Sequence, residues 1–166
     1  GSEPIALIHA FSTAFPVSMR AVCPSMNLVA YSNSCYIGFY DWSTHQDITI
    51  NTQSEELDEM WNGIVSVEFC GAYVLCVKTR SVELHPIPNE FLTGPYCQLP
   101  VFKHAMPDVA FRDVSVSSVD VSPIEELPTL VLSVSFLAHD LLRGLFLHRV
   151  RMRLSGDAIP MFNVDL

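Results

Sequence analysis

Two stretches of this chain lie over one another at a fixed step, and that constrains its fold more than any other feature. Leu28–Tyr31, the polar turn Ser32-Asn33-Ser34 and Tyr36–Trp42 are matched by Ala72–Val77, the polar turn Lys78-Thr79-Arg80 and Ser81–Ile87, with Ser81 standing 45 residues after Tyr36. Each unit is a pair of short runs rich in β-branched and aromatic residues, bounded by turn formers. The links are too short for a crossover, so the pairing is antiparallel. A third unit, Val114–Val121, Thr129–Leu137 and Leu145–Leu154, keeps the same order with longer links. Such a unit cannot bury both its faces alone and must stack on its neighbours.

Further strands fit around this frame. Asp47–Ile50 follows the polar link Ser43–Gln46. Ile64–Phe69 alternates, which predicts Ile64, Ser66 and Glu68 on one face and Val65, Val67 and Phe69 on the other. Cys70-Gly71 reads as the turn into the next strand, and Val82 and Leu84 are expected on one face of theirs. Proline is confined to sheet edges and bulges, so Pro88–Pro107 reads as loop with one edge strand. Ala138–Gly144 reads as a link with a turn of helix. Leu145–Leu154 predicts a half-buried strand whose outer face carries Arg149, Arg151 and Arg153. Gln53–Met60 fits either one helical turn capped by Ser54 or a solvated loop.

Composition narrows the class. Hydrophobic residues make up 49% of the 166 and charged residues only 16%, which argues against disorder and for surface that a partner or more chain would cover. Nine Lys and Arg stand against 18 Asp and Glu, a formal net charge of −9. That field disfavours nucleic acid and anionic membrane, although arginines crowd one C-terminal stretch. No apolar run reaches the length needed to span a bilayer. The five cysteines, Cys23, Cys35, Cys70, Cys76 and Cys97, form no CxxC pair and lie mostly in apolar runs, which favours a reducing compartment, cytoplasmic or nuclear. Gly1-Ser2 reads as the remnant of a removed tag. Residues 3–166 read as a single β-repeat domain with units at about 5–50, 51–107 and 108–166.

With these units in place a resemblance can be named. Asn27-Leu-Val-Ala-Tyr followed by Tyr36-Ile-Gly-Phe-Tyr-Asp-Trp resembles the middle two strands of a WD40-like β-propeller blade, whose third strand commonly ends in an aromatic and Asp. Val65-Ser-Val-Glu-Phe-Cys-Gly resembles the inner strand and its turn. The likeness covers most of Asn27–Pro88 and more loosely Asp113–Leu154. Asn62-Gly63 stands where that family has Gly-His, and Tyr40-Asp41-Trp42 reverses its Trp-Asp order. The units also resemble propeller-like regions found downstream of F-box segments in fungal proteins. The resemblance implies an all-β fold of antiparallel meander repeats, about three blades of an incomplete propeller. The chain then reads as a fragment of a larger chain, as part of a ring that another copy or chain closes, or as a small sandwich whose strands only imitate a repeat. It implies a substrate-recognition role in a ubiquitin-ligase adaptor.

Residues that carry chemistry are sparse. None of the six histidines stands in a metal-binding motif, and no phosphate-cradling glycine loop or nucleophile elbow is present, so no catalytic residue, metal or cofactor is assigned. His139-Asp140 reads as a turn pair and His148 as a core or interface residue. Cys70 and Cys76 read as core thiols. Trp42 reads first as packing between units. The candidate partner-binding surface is Trp42, His45, Glu55, Glu56, Asp58, Glu59 and Trp61, all at links between strands, where rigid scaffolds place recognition residues.

These observations lead to a non-enzymatic protein-interaction or scaffold module, with the acidic segment favouring a basic partner. Uncovered strand edges or an apolar face predict self-association. A small-molecule or glycan-binding domain using exposed aromatics is the alternative, and an enzyme with a cleft built from distant residues is the least favoured.

Overall fold

The computed structural model describes residues 12–13, 16–53, 61–88, 96–97, 100–117, 120–123, 129–155 and 161–165. Three open sheets account for nearly all of them. Sheet A holds β1 (Ser18–Cys23), β2 (Leu28–Ser32), β3 (Tyr36–Asp41) and β4 (Gln46–Asn51) as an antiparallel meander. Sheet B holds β5 (Ile64–Cys70), β6 (Tyr73–Lys78), β7 (Ser81–Pro86) and, across a longer connection, β9 (Phe102–Ala105). The short β8 (Tyr96–Cys97) turns back to pair in parallel with β4. Sheet C holds β10 (Phe111–Val116), β12 (Thr129–Asp140), β13 (Gly144–Ser155) and β14 (Met161–Asp165), with β11 (Asp120–Pro123) also on β12.

The sheets stack in the order A, B, C. One core joins A to B through Ala30, Ile37, Phe39, Ile48 and Ile50 against Val67, Phe69, Val74 and Cys76. A second joins B to C through Leu75, Val77, Val82 and Leu84 against Phe111, Val134, Phe136 and Val150. Sheet B is thus covered on both faces. Strand β7 is buried from Ser81 to His85 and β6 from Val74 to Lys78. This explains the near-continuous apolar run in β6, since a strand with two buried faces has no solvent side to alternate with.

The 45-residue step is a backbone fact. Trp42 N donates to Asn27 O and Ile87 N to Ala72 O, the same bond one step later. Ala30 pairs with Phe39 and Leu75 with Leu84 at the same step. The first strands also lie side by side, β1 against β5 and β5 against β10. Arg20 straps the first pair by donating from Nη1 to Val65 O at 2.8 Å and from Nε to Ser32 Oγ at 2.7 Å.

Several details differ from the sequence reading. A β-bulge between Ile64 and Ser66 turns Ile64 onto the core face with Val67 and Phe69, where strict alternation placed it opposite. Ala138–Gly144 contains no helical turn. Strand β12 runs on to Asp140 and a three-residue turn leads to Gly144, whose φ of 93° suits glycine. Among its described residues, Pro88–Pro107 contributes the short strands β8 and β9, where one was expected, and both lie at sheet edges. The described residues of Val114–Val121 fall on two strands, β10 and β11, both paired with β12. The acidic stretch at residues 54–60, read as capped turn or loop, lies outside the described residues.

On the outer face of sheet A, Tyr31 lies over Gly38, its cross-strand neighbour. A Cβ on Gly38 would overlap Cε2 and Cζ of the Tyr31 ring, which is 4% exposed. Gly38→Ala is therefore expected to destabilise the fold by about 1–3 kcal/mol through overpacking, read as a lower urea midpoint at unchanged slope.

Candidate functional site: the linker end of the stack

The two ends of the stack are built differently. At one end lie the β2–β3, β6–β7 and β12–β13 turns, together with the described parts of the connections between sheets, residues 52–53, 61–63 and 106–110. There the turn of each sheet holds the start of the next. Ile64 N donates to Ser34 O at 2.9 Å, and Phe111 N donates to Thr79 O at 2.8 Å. Thr52 N donates to Cys35 O and Met106 N to Arg80 O. Thr79 N and Oγ1 both reach back to Gly63 O. In sheet C, Asp140 Oδ2 accepts Ala110 N, while its Oδ1 accepts the Leu142 and Arg143 amides at 2.8 and 2.9 Å. These backbone donors, led by Ala110, hold the Asp140 carboxyl below the usual carboxylate range. His139 points to the exposed face, so the pair serves the turn and not a proton relay.

Beneath this end lies a buried polar cluster that alternation alone assigned no role. Ser81, Glu83 and His85 project from one face of β7 toward sheet A, while Val82 and Leu84 face sheet C. Lys78, at the end of β6, places Nζ 2.9 Å from Glu83 Oε2 and donates to Thr52 O at 2.7 Å. His85 Nε2 donates to Glu83 Oε2 at 3.1 Å and Ser81 Oγ to Oε1 at 3.1 Å. Asn62 Nδ2 donates to Ser81 Oγ, and Asn62 Oδ1 accepts Arg80 N. Lys78 and Glu83 are each 1% exposed. Burial alone would push the Glu83 carboxyl up. The His85 hydrogen bond and the Lys78 ammonium outweigh it and hold the carboxyl below its ordinary value. The cluster ties sheet B to the last residues of sheet A and fixes Asn62, the residue after Trp61. It is closed to solvent, so its chemistry is structural. Removing one member of such a pair strands a buried charge, and Glu83→Gln is expected to cost about 3–5 kcal/mol in a urea unfolding experiment.

The candidate residues divide between the two ends. Trp61 stands at the linker end and is 77% exposed. Leu142, in the sheet-C turn at the same end, is 95% exposed, and Arg80 and Arg143 are exposed in the β6–β7 and β12–β13 turns. Trp42 and His45 stand in the β3–β4 turn at the opposite end, one strand length of about 17–20 Å away, and so form no single aromatic platform with Trp61. Trp42 is half-buried. Asp41 shapes that turn, with Oδ1 accepting Ser43 N, Ser43 Oγ and Thr44 N. His45 takes a φ of 59° and sets Nδ1 3.1 Å from Tyr40 Oη. Glu55, Glu56, Asp58 and Glu59 lie outside the described residues.

The remaining chemistry-bearing groups are packed away. Cys70 and Cys76 are fully buried, and burial pushes the Cys70 thiol up to about 12 and the Cys76 thiol upward as well. Among the described residues no group of three His, Cys, Asp or Glu side chains is arranged to hold a metal. No helix among them is long and apolar enough to cross a membrane. His148 is 1% exposed and stacks on Phe136 at 4.9 Å, with Phe111 edge-on at 5.6 Å. Neither of its ring nitrogens has a hydrogen-bond partner among the described residues. Burial, with His104 adding repulsion, holds its pKa below the ordinary 6.5. The unfolded chain therefore takes up a proton below pH 6.5 that the folded chain refuses, and stability falls as pH drops through that value. In His148→Phe this part of the slope is expected to disappear, as read by thermal melts across that range.

No protein-family model matches the chain, and no curated protein matches its sequence.

Proposed function

We propose that the chain is a non-enzymatic protein-interaction module, three blades of an incomplete WD40-like β-propeller, that recognises a basic partner segment at its linker end. The observation that carries this reading is Trp61, a large aromatic side chain 77% exposed beside a backbone tied down on its C-terminal side, where Asn62 Oδ1 accepts Arg80 N and Ile64 N donates to Ser34 O. A rigidly held exposed aromatic is the commonest form of binding hot spot, because it contributes area at little entropic cost. Glu55, Glu56, Asp58 and Glu59 precede it directly in sequence and supply the matching charge for a Lys- or Arg-rich segment. The blade reading is supported by the 45-residue step in register and hydrogen bonds, by face-to-face stacking, and by the adjacent first strands. The resemblance to propeller-like regions that follow F-box segments makes substrate recognition for a ubiquitin ligase the role within which we place it. Trp42 and His45, at the far end, are assigned to scaffold in this reading.

The test uses the two tryptophans. In Trp42→Phe the fluorescence comes from Trp61 alone, and an array of Lys- and Arg-rich peptides is titrated against it. At least one peptide is expected to shift the emission, with affinity that weakens as salt rises. Trp61→Ala, followed by anisotropy of the labelled peptide, is expected to weaken binding about tenfold or more, the range of a hot-spot truncation. Silence across the array, or binding indifferent to Trp61→Ala, would sink the proposal.

A further inference from the structure

Sheet C turns an exposed face outward, and the two halves of that face differ in chemistry. The half at the linker end is apolar at positions that the other sheets seal. In sheet A the face toward B presents Ala30, paired with Phe39, beside Ile37; all three are 0% exposed. In sheet B the face toward C presents Leu75, paired with Leu84, beside Val82; these are 1%, 0% and 0% exposed. The same places in sheet C fall to Leu137, paired with Leu147, beside Leu145. These are 43%, 66% and 68% exposed. Their neighbours Phe136, Ala138 and Val150 are the ones that face sheet B.

The other half is basic. Along β13 the leucines are followed on the same face by Arg149, Arg151 and Arg153, each exposed. Alternate residues of a strand stand about 6.8 Å apart, so Leu145 to Arg153 form one row about 27 Å long. On β12, Ser135, Ser133 and Val131 lie in register with the three arginines. On β14, Asp165 lies in register with Arg149, while Asn163 and Met161 lie in register with Arg151 and Arg153. The register thus gives Arg151 and Arg153 no carboxylate on either side. None of the three arginines forms an ion pair among the described residues.

We infer that the outer face of sheet C docks an acidic segment of a partner protein, whose aliphatic side chains cover Leu137, Leu145 and Leu147 while its carboxylates meet Arg149, Arg151 and Arg153. The leucines supply apolar area to be removed from water, and each guanidinium offers a fork of donors that matches a carboxylate. The inference needs only the register and exposure of sheet C and does not rest on Trp61. Charge selects this occupant over the others. Turned face to face about an axis along the strands, two copies of the chain would set arginine on arginine. Turned about an axis across the strands at Leu145 and Leu147, they would set Arg149 over Arg143, and like charges oppose either contact. Nucleic acid and anionic membrane present extended negative surfaces, and so meet the net charge of −9 of the whole chain. A short acidic segment meets mainly the local row, because exposed charges more than about 8 Å away are largely screened at physiological salt.

Fluorescence anisotropy with labelled synthetic peptides tests this. The probes carry a leucine cluster beside a run of glutamates, in both orders, and the controls replace the glutamates by lysine or the leucines by serine. At least one leucine–glutamate peptide is expected to bind with a Kd on the order of 1–100 μM, more weakly as salt rises, and better than either control. Arg151→Glu combined with Arg153→Glu, and separately Leu147→Ser, are each expected to weaken binding about tenfold or more. Their far-UV circular dichroism is expected to be unchanged, since all three side chains are solvent-exposed. Arg151→Gln with Arg153→Gln is the milder pair where charge reversal disturbs the fold, and it is expected to flatten the salt dependence. Silence of every leucine–glutamate peptide up to about 1 mM overturns the inference. So does binding indifferent to the arginine and leucine substitutions, or tighter binding of phosphatidylserine vesicles or single-stranded DNA than of any peptide. Trp61→Ala is expected to leave this binding unchanged. Its loss in that variant would move the acidic segment to the linker end and also overturn the inference.

Discussion

The burial of both faces of sheet B is the constraint on which the rest depends. A sheet covered on two sides needs two partners held at a fixed distance and register, and here the chain supplies them through its turns. At both junctions the first amide of the next sheet is taken up by a carbonyl in the turn of the preceding one, Ile64 N by Ser34 O and Phe111 N by Thr79 O. The hydrogen bonds satisfy backbone groups that would otherwise be stranded where the chain passes from sheet to sheet. They also set the stacking geometry, because a linker pinned at its start fixes where the following strand begins.

The charged cluster around Glu83 follows from the same geometry. Sheet B turns its polar β7 face toward sheet A, so Ser81, Glu83 and His85 are carried into a buried layer. That placement is tolerable only because every acceptor of the carboxylate is engaged, by Lys78, His85 and Ser81. A wholly apolar layer would pack as well, but would not reach the Thr52 carbonyl at the end of sheet A. The cluster thus couples register to stacking. It also fixes Asn62, the residue next to Trp61.

Much of the architecture was legible because strand signals were local. The paired units around Leu28–Trp42 and Ala72–Ile87 carried their turns, their apolar runs and their 45-residue spacing in plain view, and the basic outer face of β13 followed from alternation. What alternation could not supply was which faces would be covered. Lys78 was read as part of a polar turn, and it is instead the buried end of a strand. Ser81, Glu83 and His85 alternate with apolar residues like a solvent-facing stripe, and only the stacking of sheet A turns that stripe inward. The bulge at Ile64 shifted one residue from the expected face because a local register change leaves no mark in a pattern of period two. Strand β1 was missed because Ser18–Cys23 has little alternation, and its place depends on pairing with β2 and on the reach of Arg20 across to β5. The candidate site was legible only in part. Exposure singles out Trp61, while Trp42 and His45 lie at the other end of sheet A, a separation set by the antiparallel course of β3 rather than by distance along the chain.

The same step that reveals the repeat also tells the inner faces from the outer ones. Several positions equivalent by register differ in exposure according to whether another sheet lies over them. Ile37 and Val82 are sealed, and Leu145 in the same place is open. Val67 and Phe69 are sealed, and Met19 and Val22 are open. Scattered exposed leucines are ordinary on a monomer surface. The exposed leucines of sheet C are different, because Leu137, Leu145 and Leu147 fall on positions that are sealed in the two sheets before it.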